Sequence, residues 1–385
     1  MEESTSLNSG KLRRHDSDWL TVGAMLTVFL FHCARFFNQE DWHVKNNQLS
    51  DGMSLFVAIV VQWIMPLFFV LSGISSYYSL AARDCGAYLK DRFRRLVIPL
   101  IFGMFVVLVP VQVWIERFSH GQFQGGFLEF YPHYFNGLYP LWGNFAWMGL
   151  HLWYLEVLFV FTLLTLPLFL HLKKAESREL LSRAAAFFSK GGNIFLLAIP
   201  LLIVELLVDL QPKGVGARVF GGWSLFSYLI FFPAGFLIAS DARYTAALIR
   251  LRYASLVLGL LSTGLISSFH FRIAPTGDWT YAAEVFVRSC NSWFWLTAIL
   301  GFGSKYLNFE NAFLKYAREA VLPFYVLHQT VIVIIGFQIA HWEAGVMVKY
   351  LLLSTVSFAV IVALYHLLVQ RINILRFLFG MKVNK

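Results

Sequence analysis

The chain is a succession of apolar stretches, each close to the ~20 residues an α-helix needs to cross a hydrocarbon core. They run over about 18–38, 53–80, 96–116, 149–172, 193–210, 222–240, 253–271, 284–304, 321–340 and 346–370 of the 385 residues. In lipid only helices and closed barrels satisfy every backbone hydrogen bond, and long apolar runs without alternation select the helix. The expected fold is all-α: one polytopic membrane domain over 1–385, with about ten transmembrane helices. Charged residues make up 14% of the chain, against about 25% in a soluble domain. The fifth stretch carries Glu205 and Asp209 in its second half.

Basic residues fix the expected orientation. With the N-terminus inside, 23 of the 31 Lys and Arg residues fall in inner segments. They include Lys11, Arg13 and Arg14 in a polar tail over 1–17, the run Arg83, Lys90, Arg92, Arg94 and Arg95, and Lys173, Lys174, Arg178 and Arg183. The bias repeats from loop to loop and predicts N-in and C-in. The net charge of +9 therefore reflects membrane topology and gives no reason to expect nucleic acid. The first apolar run is too long for a cleavable signal peptide and ends in no small-residue cleavage site. Three cysteines without paired spacing indicate neither a disulfide framework nor a zinc site.

Two expected outer loops are long. The segment 39–52 carries Glu40, Asp41, Trp42, His43, Lys45 and Asn46; the segment 117–148 carries His120, Tyr131, His133, Tyr134, Tyr139, Trp142 and Trp147. Aromatic residues at this depth also form the ordinary interfacial belt.

An ionisable side chain within a span costs roughly 2.5–3.5 kcal/mol on insertion scales and marks a candidate site. His32 stands near the far end of the first stretch, about 20 Å from its inner end at 1.5 Å per residue. Arg35, three residues on, shares its helical face; an interfacial pair wetted by headgroups is the alternative. His151 opens the fourth stretch, with Trp153 and Glu156 following, and His328 stands in the ninth, about 10 Å from its inner side. No histidine pair has the metalloprotease spacing, and neither a nucleophile elbow nor a phosphate-binding loop occurs. The basic run before Pro99 reads either as a topological anchor or as a mouth for an anionic donor, since Arg suits phosphate through bidentate geometry.

Six segments, in this order, resemble the membrane-bound acyltransferase 3 family, which includes polysaccharide O-acetylases and glucan succinyl-transferases. They are Asp18-Trp19-Leu20 with Phe29-Leu30-Phe31-His32; Trp42-His43-Val44-Lys45-Asn46; and Met65-Pro66-Leu67-Phe68-Phe69-Val70-Leu71-Ser72-Gly73. Arg92-Phe93-Arg94-Arg95-Leu96-Val97-Ile98-Pro99, His151-Leu152-Trp153-Tyr154-Leu155 and Tyr325-Val326-Leu327-His328-Gln329 complete the set.

The resemblance implies acyl transfer from a cytoplasmic acyl-CoA to a hydroxyl of an envelope carbohydrate or lipid-linked glycan, in a bacterial inner membrane. His32 would act as general base, with Arg35 and His151 beside it. Arg92 and Arg95 would hold the donor, with His328 along its path. Trp42, His43, Lys45, Asn46, Trp153 and Glu156 would face the acceptor. Acyl-CoA is then a co-substrate, and no bound cofactor or metal is expected. The sequence departs from the family at Thr21, where an arginine usually precedes the histidine by eleven residues; an acyltransferase-like protein without activity is one alternative. A proton-coupled transporter is a second, since intramembrane His, Arg and Glu also describe such carriers. A glycosyltransferase using Glu40 and Asp41 is a third.

Overall fold

The computed structural model describes residues 14–106, 108–209, 218, 221–272 and 278–384. The expectation for the N-terminal tail lies outside the described residues up to Arg13. Among the described residues the chain is all-helical apart from one isolated bridge, Leu138 to Phe145. In order the helices are α1 His15–Arg35, α2 Asp51–Val61, α3 Ile64–Ala82, α4 Cys85–Arg92, α5 Ile98–Phe105 and α6 Leu108–Ser119. The short α7 Phe127–Phe130 follows, then α8 Trp153–Leu172, α9 Arg178–Phe188, α10 Ala198–Asp209, α11 Leu225–Ala239 and α12 Ala242–Arg272. α13 Asp278–Tyr306, α14 Ala312–Ile339, α15 Val346–Leu364 and α16 Asn373–Leu378 complete the order.

Each apolar stretch of the sequence coincides with helix, but not each with a straight span. Among the described residues, six helical segments are long and apolar enough to cross a membrane, and eight if each of two bent pairs counts as one. The stretch 96–116 is bent by 42° between α5 and α6. Pro110 has no N–H to bond the carbonyl four residues back, at Val106, which is where the helical path is lost. The stretch 193–210 enters through a 3₁₀ turn, Asn193–Leu197, after a 118° bend from α9. α13 covers the eighth stretch but carries Glu284 and Arg288, and it is not among the six. α14 begins nine residues before its apolar stretch because Asn311 caps it, accepting from the Leu314 N–H at 2.8 Å. Hydropathy measures the membrane-compatible length, and the cap sets the helical length.

α1 packs on α14, α14 on α15 and α6, and α3 on α11. The α3–α11 crossing is close: a Cβ on Gly73 would stand 2.0 Å from the Phe232 carbonyl oxygen, and one on Gly235 2.0 Å from that of Val70. Small residues let helix backbones approach where lipid gives no hydrophobic drive to associate. Around this crossing Phe69, Phe231, Phe232 and Phe236 are fully buried. The segments 36–50, 120–148 and 340–345 gather at one end of the bundle: Asn47 N–H bonds the Ala340 carbonyl at 3.3 Å, and Glu116 at the end of α6 meets both His43 and Tyr139. The arginine run lies on α4 and a π-helical turn, Phe93–Val97, that leads into α5.

Candidate active site

α1 and α14 bring two histidines into contact across 296 residues of sequence. His32 Nδ1 lies 2.7 Å from His328 Nε2, and the ring planes are within 10° of parallel with centroids 4.9 Å apart. The other nitrogen of His328, Nδ1, lies 2.5 Å from the Tyr325 carbonyl oxygen. A carbonyl only accepts, so His328 Nδ1 carries the proton and His328 Nε2 accepts from His32 Nδ1–H. With both rings neutral, His32 Nε2 keeps its lone pair; the assignment follows from the hydrogen-bond network. His328, expected along the donor path, lies ring to ring with His32.

His151 closes a triangle, its ring 5.2 Å from that of His328 at 85°. Its Nε2 lies 3.3 Å from the Val326 carbonyl and so donates, leaving Nδ1 to accept from Gln112 Nε2 at 3.4 Å. The Tyr325 hydroxyl donates to the His151 carbonyl. Trp42 stacks beside His32, at 6.5 Å and 25°, and its ring is 5.4 Å from that of His43.

From the triangle a file of buried polar groups runs to the loop end of the bundle. Gln112 donates to Thr330 Oγ1 at 2.7 Å, and Thr330 donates to the Leu108 carbonyl at 3.0 Å. Gln329 Nε2 donates to Gln112 Oε1 at 3.0 Å and to His43 Nε2 at 2.9 Å. His43 Nδ1–H donates to Glu116, and the Tyr139 hydroxyl donates to the same carboxylate at 2.7 and 2.8 Å. Donors and acceptors alternate along the file, which is what makes polar groups tolerable at low dielectric. Burial, with Glu116 beside it, pushes the Tyr139 phenol above its ordinary range.

Arg35 and Lys45 shape the loop after α1. Arg35 pairs with Glu40 and donates to the Asp41 carbonyl at 2.8 Å. Lys45 Nζ donates to the Arg35 and Asn38 carbonyls, both at 2.6 Å, and to Asn38 Oδ1 at 2.9 Å, satisfying the open carbonyls at the helix end. Burial, and secondarily the Arg35 charge, pull the Lys45 ammonium down to about 8. Asn46 Oδ1 accepts from the buried Lys349 at 2.8 Å.

The remaining predicted residues lie elsewhere. Trp153 packs 5.5 Å from Tyr228 and 6.4 Å from Phe69. Glu156 Oε2 is buried with no hydrogen-bond partner among the described residues. Arg92 donates to Ser76 Oγ at 2.8 Å with its guanidinium 5.3 Å over the Tyr88 ring, while Arg94 donates to the Met381 carbonyl. Arg95 is exposed and has no hydrogen-bond partner among the described residues.

Gln112, Glu116, Tyr139, Tyr325 and Gln329 were not among the residues expected at the site. A signal existed for three of them: Gln112 and Glu116 interrupt the stretch 96–116, and Gln329 follows His328 in an otherwise apolar run.

A family model described as an acyltransferase domain matches residues 14–366, a span that takes in all three histidines. The chain belongs to the acyltransferase 3 family. It is similar to glucans biosynthesis protein C of Salmonella heidelberg (strain SL476), 22% identical over 378 residues, covering 96% of this chain and 95% of the relative. It is likewise similar to glucans biosynthesis protein C of Escherichia coli (strain SMS-3-5 / SECEC), 24% identical over 397 residues with the same coverage. No solved structure matches. Family and apolar helices together make this acyltransferase an integral membrane protein.

Proposed function

We propose that this acyltransferase moves an acyl group, acetyl or succinyl, from a cytoplasmic acyl-CoA to a hydroxyl of an envelope carbohydrate or glycolipid. The observation that carries the reading is the 2.7 Å contact between His32 Nδ1 and His328 Nε2, which leaves His32 Nε2 basic. The relatives named for glucan biosynthesis support a carbohydrate acceptor.

In the reaction, His32 Nε2 takes the acceptor hydroxyl proton as its oxygen attacks the thioester carbonyl. The carbon–sulfur bond breaks, and the imidazolium returns the proton to the departing CoA sulfur. General-base help of this kind contributes typically about 10²–10⁴-fold. His328 is a positioning residue: held by the Tyr325 carbonyl, it accepts from His32 and shares the positive charge that develops on the pair. Trp42 lies beside the ring, with centroids 6.5 Å apart. The ten-span, N-in and C-in arrangement in a bacterial inner membrane puts Arg92 and Arg95 at the cytoplasmic end, where they meet the donor phosphates, and puts the loop end toward the envelope. Arg92 is already oriented by Ser76 and Tyr88.

The test is purified protein given radiolabelled acetyl-CoA or succinyl-CoA and glucose oligosaccharides. Label enters the oligosaccharide with the native chain and not with His32→Ala, which still folds; transfer by His32→Ala at the native rate overturns the base assignment. Thr21 sits within α1 with its hydroxyl donating to the Ser17 carbonyl at 2.7 Å. Transfer that emerges only on Thr21→Arg would assign the chain to the inactive alternative.

A further inference from the structure

A cavity of about 570 Å³ opens at the loop end of the bundle, lined by Glu116, Arg117, Gln122, Tyr139, Trp142 and Asn144. Its size falls within the range of small-ligand sites, about 300–1,000 Å³. We propose that it is a binding subsite for one or more sugar units of the glycan acceptor, with a pyranose face laid on Trp142. This rests on the carbohydrate acceptor reading above and adds where the glycan is held away from the reacting hydroxyl.

Three observations carry it. Trp142 is fully exposed and stands in the left-handed region, with φ at 66°, a conformation that bulky residues rarely adopt. Such outliers persist where surrounding structure over-determines them, and here it does. Gly143 N–H bonds the Leu138 carbonyl at 2.9 Å, Tyr139 N–H the Phe145 carbonyl at 3.0 Å, and Phe145 N–H the Gly137 carbonyl at 3.0 Å. An indole presented to water on a fixed loop offers a flat apolar face at little ordering cost.

The polar wall matches an uncharged polyhydroxyl ligand. Arg117 donates to Asn144 Oδ1 at 2.9 Å, to Gln122 Oε1 at 2.7 Å and to the Gly143 carbonyl at 2.9 Å, with its guanidinium 5.3 Å over the Tyr139 ring. It also lies 3.6 Å from Glu116. The cation and anion offset each other, so the cavity has no single-sign field to draw a phosphate or a carboxylate. The amides and the carboxylate are instead held in fixed directions for hydroxyl groups.

The third observation is continuity. Tyr139 and Glu116 form the cavity wall and also begin the file through His43, Gln329 and Gln112 to His151. A glycan seated there touches the groups that fix the reaction centre.

The experiment compares native protein, Trp142→Ala, Trp142→Phe and Leu128→Ala, an exposed control on α7. Binding of glucose oligosaccharides is measured by calorimetry without donor, and transfer is measured with labelled acyl-CoA. The expected result for Trp142→Ala is an oligosaccharide Kd and KM raised about tenfold or more, equivalent to about 1.4 kcal/mol, with kcat within a few-fold of native. Trp142→Phe recovers part of the loss and Leu128→Ala changes nothing. Native transfer with an unchanged KM in Trp142→Ala overturns the subsite and leaves the acyltransferase reading standing. Trp142-dependent binding without transfer by native protein upholds the subsite and overturns that reading instead. Native protein that neither binds nor modifies the oligosaccharides overturns the subsite as a glycan site.

Discussion

The two ends of the bundle handle their polar residues in opposite ways. At the loop end, Tyr139, Glu116, His43, Gln329, Gln112 and His151 form one hydrogen-bonded file, and the His151 ring lies 5.2 Å from that of His328. At the other end, Arg92 holds Ser76 and the Tyr88 ring, Arg94 holds the Met381 carbonyl, and Arg95 has no hydrogen-bond partner among the described residues. The first is built before substrate arrives, as electrostatic preorganisation of a reaction requires. In the second, the proposed function has the Arg95 guanidinium meet a ligand that carries its own charge. On the proposed function, chemistry and donor capture are separated along the bundle, and variants at the two ends are expected to fail in different kinetic constants.

The sharpest contrast is between His328→Ala and Arg95→Ala. His328→Ala is expected to lower kcat by about 10²–10⁴-fold, to leave the donor KM near native and to change the acid limb of the pH profile. Arg95→Ala, alone or with Arg92→Ala, is expected to raise the donor KM by about tenfold per lost phosphate contact with kcat little changed. Steady-state kinetics on both substrates distinguishes them, and the same pattern in both variants breaks the division.

Glu116→Gln comes next. It replaces the anion that His43 and Tyr139 both donate to, and hydrogen bonds to charged groups contribute about 1.5–3 kcal/mol. Thermal unfolding in detergent is expected to show a loss of that order together with reduced kcat, whereas Arg95→Ala leaves the unfolding temperature unchanged.

The smallest effect concerns Lys45. With its ammonium near 8 in the folded chain, against 10.5 ordinarily, the unfolded chain holds the extra proton between those values. Global stability from this group therefore rises with pH across that window. The loop anchor, however, loses its charge-assisted bonds to the end of α1. An alkaline fall in transfer near pH 8 without loss of folded protein is expected, and Lys45→Arg, which keeps its charge, should displace it to higher pH. A fall that tracks unfolding contradicts this.

The fold was largely legible because each span must be apolar along its whole length, and each stretch met a helix. What hydropathy does not weigh are backbone events: the loss of the Val106 bond to Pro110, the cap at Asn311 and the α3–α11 contact at Gly73 and Gly235. His32 was legible because an ionisable group in a span is costly. Its partner was not, because no local pattern ties it to a residue on α14. Gln112 and Glu116 interrupt an apolar stretch and were visible, but only the bend after α5 shows that they face His151 and His43.

General-base chemistry at His32 depends on which of its ring nitrogens is unprotonated. Nitrogen-15 NMR of protein labelled at histidine, with the His32 resonances assigned by their loss in His32→Gln, reads that directly. The expected result is a protonated Nδ1 and a bare Nε2 in native protein at neutral pH, with that preference lost in His328→Ala. A His32 ring protonated at Nε2 in native protein would contradict the assignment of this histidine as the base.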